Sequence, residues 1–141
     1  MKRMIIFGVS IAIILFVGIS GAADKNEKEK AAVAVADKWL NLVDSGKYLE
    51  SWREANEYFR NSVKQDQWAL IVQPVRKNLG KLISRKLKAK IYKNASTGEP
   101  QGQYIIVQYE TSFQNKNLVI EEVVAMLEKN GRWKVSGYHL R

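Results

Sequence analysis

The sequence contains no cysteine, and its only histidine is His139. The absence of cysteine excludes disulfides, thiolate metal ligands, cysteine nucleophiles and a lipid-modified cysteine at a processing site. One imidazole without any thiolate supplies too few ligands for a tight transition-metal site. The composition therefore predicts a domain that is stabilised by packing alone and that holds neither a metal nor another cofactor.

Aspartate, a residue on which many enzymes rely, occurs only at Asp24, Asp37, Asp44 and Asp66, all in the first half of the chain. A Ser-His-Asp arrangement would need His139 to meet one of these distant residues beside a free serine. The chain also lacks a Gly-x-Ser-x-Gly motif, a paired-histidine metal motif and a phosphate-binding loop. Acid–base catalysis thus has few candidate residues.

The N-terminus has the pattern of a secretory signal sequence. Lys2 and Arg3 precede an apolar run over residues 5–17, and small residues follow as far as Ala23. Signal peptidases require small residues before the cleavage point, so we predict a signal peptide over 1–23 and a single domain over 24–141. The mature protein would then be periplasmic or secreted. Residues 4–23 are also uncharged and long enough to span a bilayer, so an uncleaved membrane anchor is the alternative.

The chain is strongly basic. Its formal charge is +9, and residues 24–141 carry +7 because Lys2 and Arg3 are the only charged residues before them. No acidic residue lies between Asp66 and Glu99. We group six cations of this stretch as a candidate anionic-surface site: Arg76, Lys81, Lys86, Lys88, Lys90 and Lys93.

Strand alternation predicts that Lys86, Lys88 and Lys90 project from one face of one strand. Such a face suits an anionic membrane or an envelope polymer. The alternative is a solvated face whose lysines protect a sheet edge. Nucleic acid is a poor partner despite the charge, because an exported protein rarely meets it.

The first half of the mature chain predicts three helices. The first spans residues 26–46, with Asn26 and Glu29 as a capping box and Gly46 at its end. The second spans about residues 48–60. The third opens with a capping box at Ser62 and ends at Gly80, with Trp68, Ile71, Val72, Val75 and Leu79 as its apolar stripe. Pro74 lies inside this stripe and predicts a kink or a break near Gln73.

After Gly80 the apolar pattern alternates, which predicts strands over residues 86–91, 104–113, 118–128 and 133–140. A loop is expected over 94–102 and a turn over 115–117. The lysine-rich first strand should have one wet and one buried face. The predicted fold class is α+β, with three N-terminal helices packed on a curved, four-stranded antiparallel sheet.

The dipeptide Asn130-Gly131 is a strong hairpin signal. A two-residue type I′ turn there places Trp133 opposite Glu128 and His139 opposite Glu122. The alternation would put Glu122 and His139 on the apolar face of the sheet, where a carboxylate raises the basicity of an imidazole. The competing interpretation is an ordinary cross-strand pair.

A set of residues spread over the mature chain carries a family resemblance: Trp68, Arg76, Leu79-Gly80, Ser84-Arg85, Gly102, Tyr104 and the run from Trp133 to Tyr138. This string resembles a family of exported bacterial proteins of unknown function, and the likeness covers residues 31–141. That family is similar to the nuclear-transport-factor-two-like, or cystatin-like, superfamily. The resemblance implies a cone-shaped α+β domain and implies no activity.

Three functional hypotheses follow. The first is an exported, non-enzymatic binding or interaction domain. The second is a small-molecule enzyme that uses Glu122 and His139 inside the cone. The third is a protein that binds anionic surfaces through Lys86, Lys88 and Lys90. Arg85 follows a serine at a helix-to-strand junction, and we expect it to bind backbone carbonyls or a helix carboxylate.

Overall fold

The computed structural model of the protein describes residues 20–141. The predicted signal peptide lies outside these residues except for its last part, residues 20–23, which belongs to the first helix. Among the residues described, no helix is long and apolar enough to cross a membrane.

Helices precede an open antiparallel sheet, which confirms the predicted α+β class. The helices are α1 (Ser20–Asp44), α2 (Tyr48–Glu54), α3 (Glu57–Ser62) and α4 (Gln65–Leu79). The strands are β1 (Leu82–Lys93), β2 (Tyr104–Phe113), β3 (Lys116–Leu127) and β4 (Trp133–Leu140), and they lie side by side in chain order. Residues 116–117 are thus strand rather than turn.

The region predicted as the second helix forms two helices. The chain becomes extended at Ala55 and Asn56 and is helical again from Glu57. The Asn56 side chain accepts a hydrogen bond from the Phe59 N–H at 2.9 Å. The backbone N–H of Asn56 donates to Val135 O of β4 at 2.8 Å. An N–H inside an unbroken helix would be bonded within that helix, so the break is what allows this link to the sheet.

The predicted start of the first helix is wrong, whereas its end is confirmed. α1 is already helical at Ser20, so Asn26 is not its cap. At the other end Gly46 has a φ of 74°, and Lys47 N donates to Leu42 O at 2.8 Å. This is the left-handed terminator that glycine adopts without steric cost.

The structure of the third predicted helix differs from the prediction at the start of the helix and at Pro74. Ser62 ends α3, and the hydroxyl donates to Tyr58 O instead of capping α4. α4 runs through Pro74 without a break. The carbonyl that loses its donor belongs to Leu70, and because Leu70 and Pro74 are both exposed, water can bond it.

One core lies between the helices and the inner face of the sheet, which we define as the face toward α1. Its largest members are aromatic or branched: Trp39, Leu40, Phe59, Trp68, Ile105, Val107, Tyr109, Val123, Trp133 and Val135. A smaller cluster of Tyr104, Val124 and Met126 lies on the outer face. Strand alternation accounts for both, since neighbouring residues of β2 and β3 point to opposite faces.

The β3–β4 hairpin differs from the predicted type I′ turn. Glu128 N donates to Arg132 O at 2.7 Å and Gly131 N donates to Glu128 O at 3.0 Å, so residues 129–131 form a three-residue loop. Gly131 has a φ of 83°, and no non-glycine residue of the described chain has a positive φ, as Asn130 would need in a type I′ turn. Trp133 therefore pairs with Leu127 rather than Glu128.

A bulge at Ser136 then restores the predicted register. Ala125 pairs with Val135, but Val124 pairs with Gly137, which leaves Ser136 as the extra residue. His139 is consequently opposite Glu122, as predicted. Because a bulge shifts the alternation by one residue, the two residues of this pair lie on the other face from Trp133 and Val135.

The first strand is an edge strand with two exposed faces, not one wet and one buried face. Leu87 and Ile91 are 47% and 41% exposed. Register shifts leave Ile83 and Lys88 as extra residues. Bulges and lysines are both known ways to keep an edge from pairing with another chain.

Candidate functional site

A charged network lies inside the fold, between α1, α4 and the sheet. Asp44 at the end of α1 accepts hydrogen bonds from Arg76 at 2.5 Å and from Arg85 at 2.8 and 3.0 Å. Arg85 also donates to Glu121 at 2.7 Å. Two acids and two guanidinium groups thus alternate, so the buried charges balance. The expectation that Arg85 binds a helix carboxylate is confirmed.

Glu121 is completely buried and is held by further donors. The Thr111 hydroxyl donates to one carboxylate oxygen at 2.5 Å, and the Tyr138 hydroxyl donates to the other. On the opposite side of the network, Arg76 lies over the Phe113 ring at 4.9 Å. The sequence analysis did not single out Glu121, although an acid in the middle of an apolar strand is a signal of a paired buried charge.

The network shifts the acidity of its members. Burial alone would raise the pKa of Asp44, but hydrogen bonds from Arg85 and Arg76, together with their charges, lower it below its usual value. Burial and the Glu121 carboxylate raise the pKa of Tyr138. Burial would lower the pKa of Arg85, but the hydrogen bonds that it donates to both carboxylates raise it. The shifts of Asp44 and Arg85 therefore favour the charged forms that pair with each other.

The interior of the fold is filled rather than hollow. The Trp39 ring packs against Trp68 at 5.9 Å, Tyr138 at 5.3 Å and Phe59 at 6.1 Å. None of the larger clefts that the described residues form is lined by Glu121. At the other end of the network, Asp44 and Arg76 line an open cleft of about 480 Å³. Only the Glu121 end is therefore closed off, and the network joins the helices to the sheet.

The Glu122–His139 pair lies on the outer face, not inside the cone. Its neighbours there include Val124 rather than Trp133, because of the bulge at Ser136. Glu122 forms an ion pair with Arg141, and His139 is exposed. The two residues are opposite each other as predicted, but they lie on the outer face, where Glu122 is 7% exposed and His139 is open to solvent.

The predicted lysine face does not form. Lys88 is the extra residue of a bulge, so the alternation reverses between its neighbours. Lys86 lies opposite Glu110 on the outer face, whereas Lys90 lies opposite Val107 on the inner face. The prediction that Lys86, Lys88 and Lys90 share a face is wrong because periodicity cannot show a bulge.

Folding also brings acids to most of the cations of the candidate anionic-surface site. The closest N–O distances are 3.8 Å for Lys88–Glu110, 3.3 Å for Lys90–Glu29 and 2.6 Å for Lys93–Glu99. Arg76 is buried against Asp44. Lys81 and Lys86 remain exposed. The acid-free stretch of sequence is therefore not an acid-free surface.

A small cleft between α1 and β4 is the most distinctive candidate site, and we call it the tryptophan slot. It has a volume of about 180 Å³, and its apolar walls are Val35, Trp39, Leu42, Trp133 and Val135. It is smaller than the roughly 300–1,000 Å³ of clefts that hold drug-sized ligands. A short alkyl chain or a single ring matches this size.

Trp133 differs from the other three tryptophans in its hydrogen bonding. The indole N–H groups of Trp39 and Trp52 donate to Ser51 O and Val63 O, and that of Trp68 donates to the Ser51 hydroxyl. The Trp133 N–H has no acceptor among residues 24–141. This N–H is not among the enclosed polar atoms that lack a partner, so it reaches solvent and is a donor that a ligand or a water can use.

The rim of the slot is positively charged. Lys38 comes from α1, and Arg132 and Lys134 come from the β3–β4 hairpin, with Glu54 as the one acid of the lining. In the part of the chain that the structure describes, none of these three cations forms an ion pair. An apolar slot with a donor and an excess of positive charge matches a ligand with an apolar group and an acidic group.

The sequence contains only a partial signal for this slot. The position of Trp133 beside a turn suggests that this residue lines a pocket, but Lys38 and Trp39 approach it from a helix nearly a hundred residues away.

Residues 24–141 contain no group of three or more potential metal ligands that could bind an ion.

Comparison with known proteins gives one result. A family model described as a protein of unknown function, DUF4019, matches residues 35–138. Neither the curated proteins nor the solved structures contain a match. The matched range includes the charged network and every residue that lines the tryptophan slot.

Proposed function

This chain belongs to the DUF4019 family of proteins of unknown function, and we propose that it is an exported, non-catalytic binding domain. Its ligand is a small amphiphilic acid that occupies the tryptophan slot. The observation that supports this most directly is the apolar cleft itself, which is lined by Trp133 and by three cations that form no ion pair within residues 24–141.

A non-catalytic role agrees with the positions of the titratable side chains. Asp44 and Glu121 are neutralised by arginines, and Glu121 is also fully buried. Glu122 is paired with Arg141 on the outer face. Catalysis by acids and bases requires such groups within reach of a bound substrate, and Glu54 is the one carboxylate that lines the slot.

We further propose that the family belongs to the nuclear-transport-factor-two-like, or cystatin-like, superfamily. The helices that precede a four-stranded antiparallel meander agree with the cone-shaped plan that the sequence resemblance implies. Here the cone is closed by Trp39, Phe59 and Trp68. A closed cone leaves a slot at its rim as the place for a ligand.

The ligand class can be tested with straight-chain carboxylates of increasing length, measured by calorimetry. We expect affinity to rise about fourfold per added methylene until the slot is full, because each buried methylene contributes about 0.8 kcal/mol. An alcohol and an amine of the same length should bind more weakly. Equal affinity for acid and amine would contradict the anionic part of the proposal.

The rim is tested by the double substitution Lys38→Gln/Lys134→Gln. We expect about a tenfold loss of affinity for the carboxylate, since exposed ionic contacts contribute about 0.2–1 kcal/mol each, and little change for the alcohol. Lys129→Gln is the matched control, because this exposed lysine is in the same hairpin but does not line the slot. Trp133→Phe keeps the ring wall and removes the donor, so it should weaken acid binding selectively.

Export is tested independently of binding. We propose cleavage after Ala23, supported by the basic start, apolar run and small residues of the N-terminus. N-terminal sequencing of the protein from the extracytoplasmic fraction should begin at Asp24. Intact Met1 in the membrane fraction would replace cleavage by anchoring, and protein confined to the cytoplasm would contradict export.

A further inference from the structure

The outer side of α4 is an apolar surface in a strongly charged protein. Leu70, Ile71 and Val75 are 70%, 58% and 40% exposed, and Pro74 is exposed beside them. We call these four residues the α4 stripe. In a helix, positions three and four apart are neighbours, so the four side chains form one continuous patch.

The α4 stripe results from a helix with two apolar sides. Trp68, Val72 and Arg76 are spaced four residues apart and form the buried side. Ile71 and Val75 each precede a residue of this buried side by one position, and one position rotates a side chain by about 100° around the helix axis. Both therefore point away from the core. The sequence pattern predicts both as core residues, and their exposure shows that the helix has more apolar surface than the core covers.

Positive charge borders the stripe. Lys77 lies in the last turn of α4, and Lys81 lies in the short link between α4 and β1. Both are exposed, and neither forms an ion pair among the residues that the structure describes. The stripe itself contains no charged side chain, and Asp66 is the only acid of α4.

We propose that the α4 stripe is a docking surface for an anionic lipid membrane. The four apolar side chains insert at the level of the headgroups, and Lys77 and Lys81 contact lipid phosphates. A surface helix with an apolar face and adjacent lysines is the usual interfacial binding element. This surface lies on a different helix from the tryptophan slot, and the inference does not depend on the slot having a ligand.

The charge of the chain favours a lipid surface over a second copy of the protein. Two copies that each carry +7 over residues 24–141 repel each other, whereas an anionic bilayer attracts that charge. Each lysine near an anionic surface strengthens binding, and screening by salt weakens it. The two occupants therefore respond differently to ionic strength.

The absence of cysteine allows a site-specific test with the full chain. Ile71→Cys is labelled with an environment-sensitive dye, and Leu118→Cys is the matched control, because Leu118 is an equally exposed apolar residue at 61% on β3. The probes are vesicles of phosphatidylcholine alone and vesicles that also contain phosphatidylglycerol. Because the dye reports its own position, the readout does not depend on whether the N-terminal leader is cleaved.

With the mixed vesicles, we expect the emission of the dye on Ile71→Cys to shift to shorter wavelength, and that of the dye on Leu118→Cys to stay unchanged. Raising the salt from about 0.1 M to 1 M should reverse the shift, since the Debye length falls from about 10 Å to about 3 Å. Lys77→Gln/Lys81→Gln should weaken binding severalfold, whereas Lys47→Gln/Lys129→Gln should not.

Three results would overturn the proposal. The first is no shift at Ile71 with the mixed vesicles. The second is an equal shift at both labelled positions, which would indicate binding by another surface. The third is a shift that follows protein concentration without vesicles, together with a dimer in sedimentation, which would assign the α4 stripe to a second copy.

Discussion

Asp44→Asn is expected to lower the free energy of unfolding by about 3–5 kcal/mol, because it leaves two buried guanidinium groups without their shared carboxylate. The Arg76 and Arg85 side chains are only 7% and 12% exposed, so solvent screens their charges poorly. Glu121 pairs with Arg85 and not with Arg76. A domain of ordinary stability, about 5–15 kcal/mol, would lose a large part of it.

Urea denaturation gives the measurement, with the midpoint compared at an unchanged dependence on urea concentration. Asp66→Asn is the matched control, since Asp66 is an exposed aspartate at the start of α4 and should change stability by less than about 0.5 kcal/mol. A loss below about 1 kcal/mol for Asp44→Asn would show that the arginines reach solvent or other acceptors.

The same variant should show a specific pH dependence. The pKa of Asp44 is lowered in the folded state, so its stabilisation is complete above the ordinary aspartate pKa of about 3.9 and is lost as the pH falls through the depressed value. The stability difference between the wild type and Asp44→Asn should thus be largest near neutral pH and should shrink in strong acid. A difference that grows in acid would contradict this assignment.

Local sequence patterns predict the regular elements of this fold well. The alternation predicts strands at Tyr104–Phe113 and Trp133–Leu140, and the structure has these bounds. Gly46 and Gly80 end helices as predicted, because the ability to adopt a positive φ without steric cost belongs to glycine itself. Such features depend on neighbours within a few positions, which is the range that a pattern contains.

Irregular residues in the strands limited the prediction of faces. The extra residues Lys88 and Ser136 carry no local signal, yet each reverses the alternation beyond it. The pairing of Glu122 with His139 is nevertheless correct, because the three-residue turn and the bulge at Ser136 shift the register in opposite directions. A correct pair was therefore assigned to the wrong face.

Contacts distant in sequence limited the prediction of the sites. The charged network joins Asp44 to Arg85 across 41 positions and Arg85 to Glu121 across 36. The tryptophan slot likewise joins Lys38 of α1 to Arg132 of the hairpin. Neither arrangement follows from spacing, because each depends on how the helices pack on the sheet.

Trp39→Ala is expected to destabilise the domain by about 3–5 kcal/mol, the usual cost of truncating a buried aromatic residue. Trp39 is 2% exposed, and it contacts three other aromatic rings. Its N–H also donates to Ser51 O at 2.8 Å, which ties α1 to α2. Removing it therefore leaves a cavity and removes one of the two hydrogen bonds that Ser51 O accepts, the other coming from Ala55 N.

Chemical denaturation of Trp39→Ala and Trp39→Phe separates the two parts of this loss. Phenylalanine keeps most of the packing and loses the hydrogen bond, so its cost should be clearly smaller than that of alanine. Tyr92→Ala, which truncates an aromatic residue that is 38% exposed, is the control and should cost far less. Equal losses for alanine and phenylalanine would mean that the Ser51 bond dominates. A loss below about 1 kcal/mol for alanine would mean that the surrounding rings collapse into the space, and the wall of the tryptophan slot would then be adaptable instead of rigid.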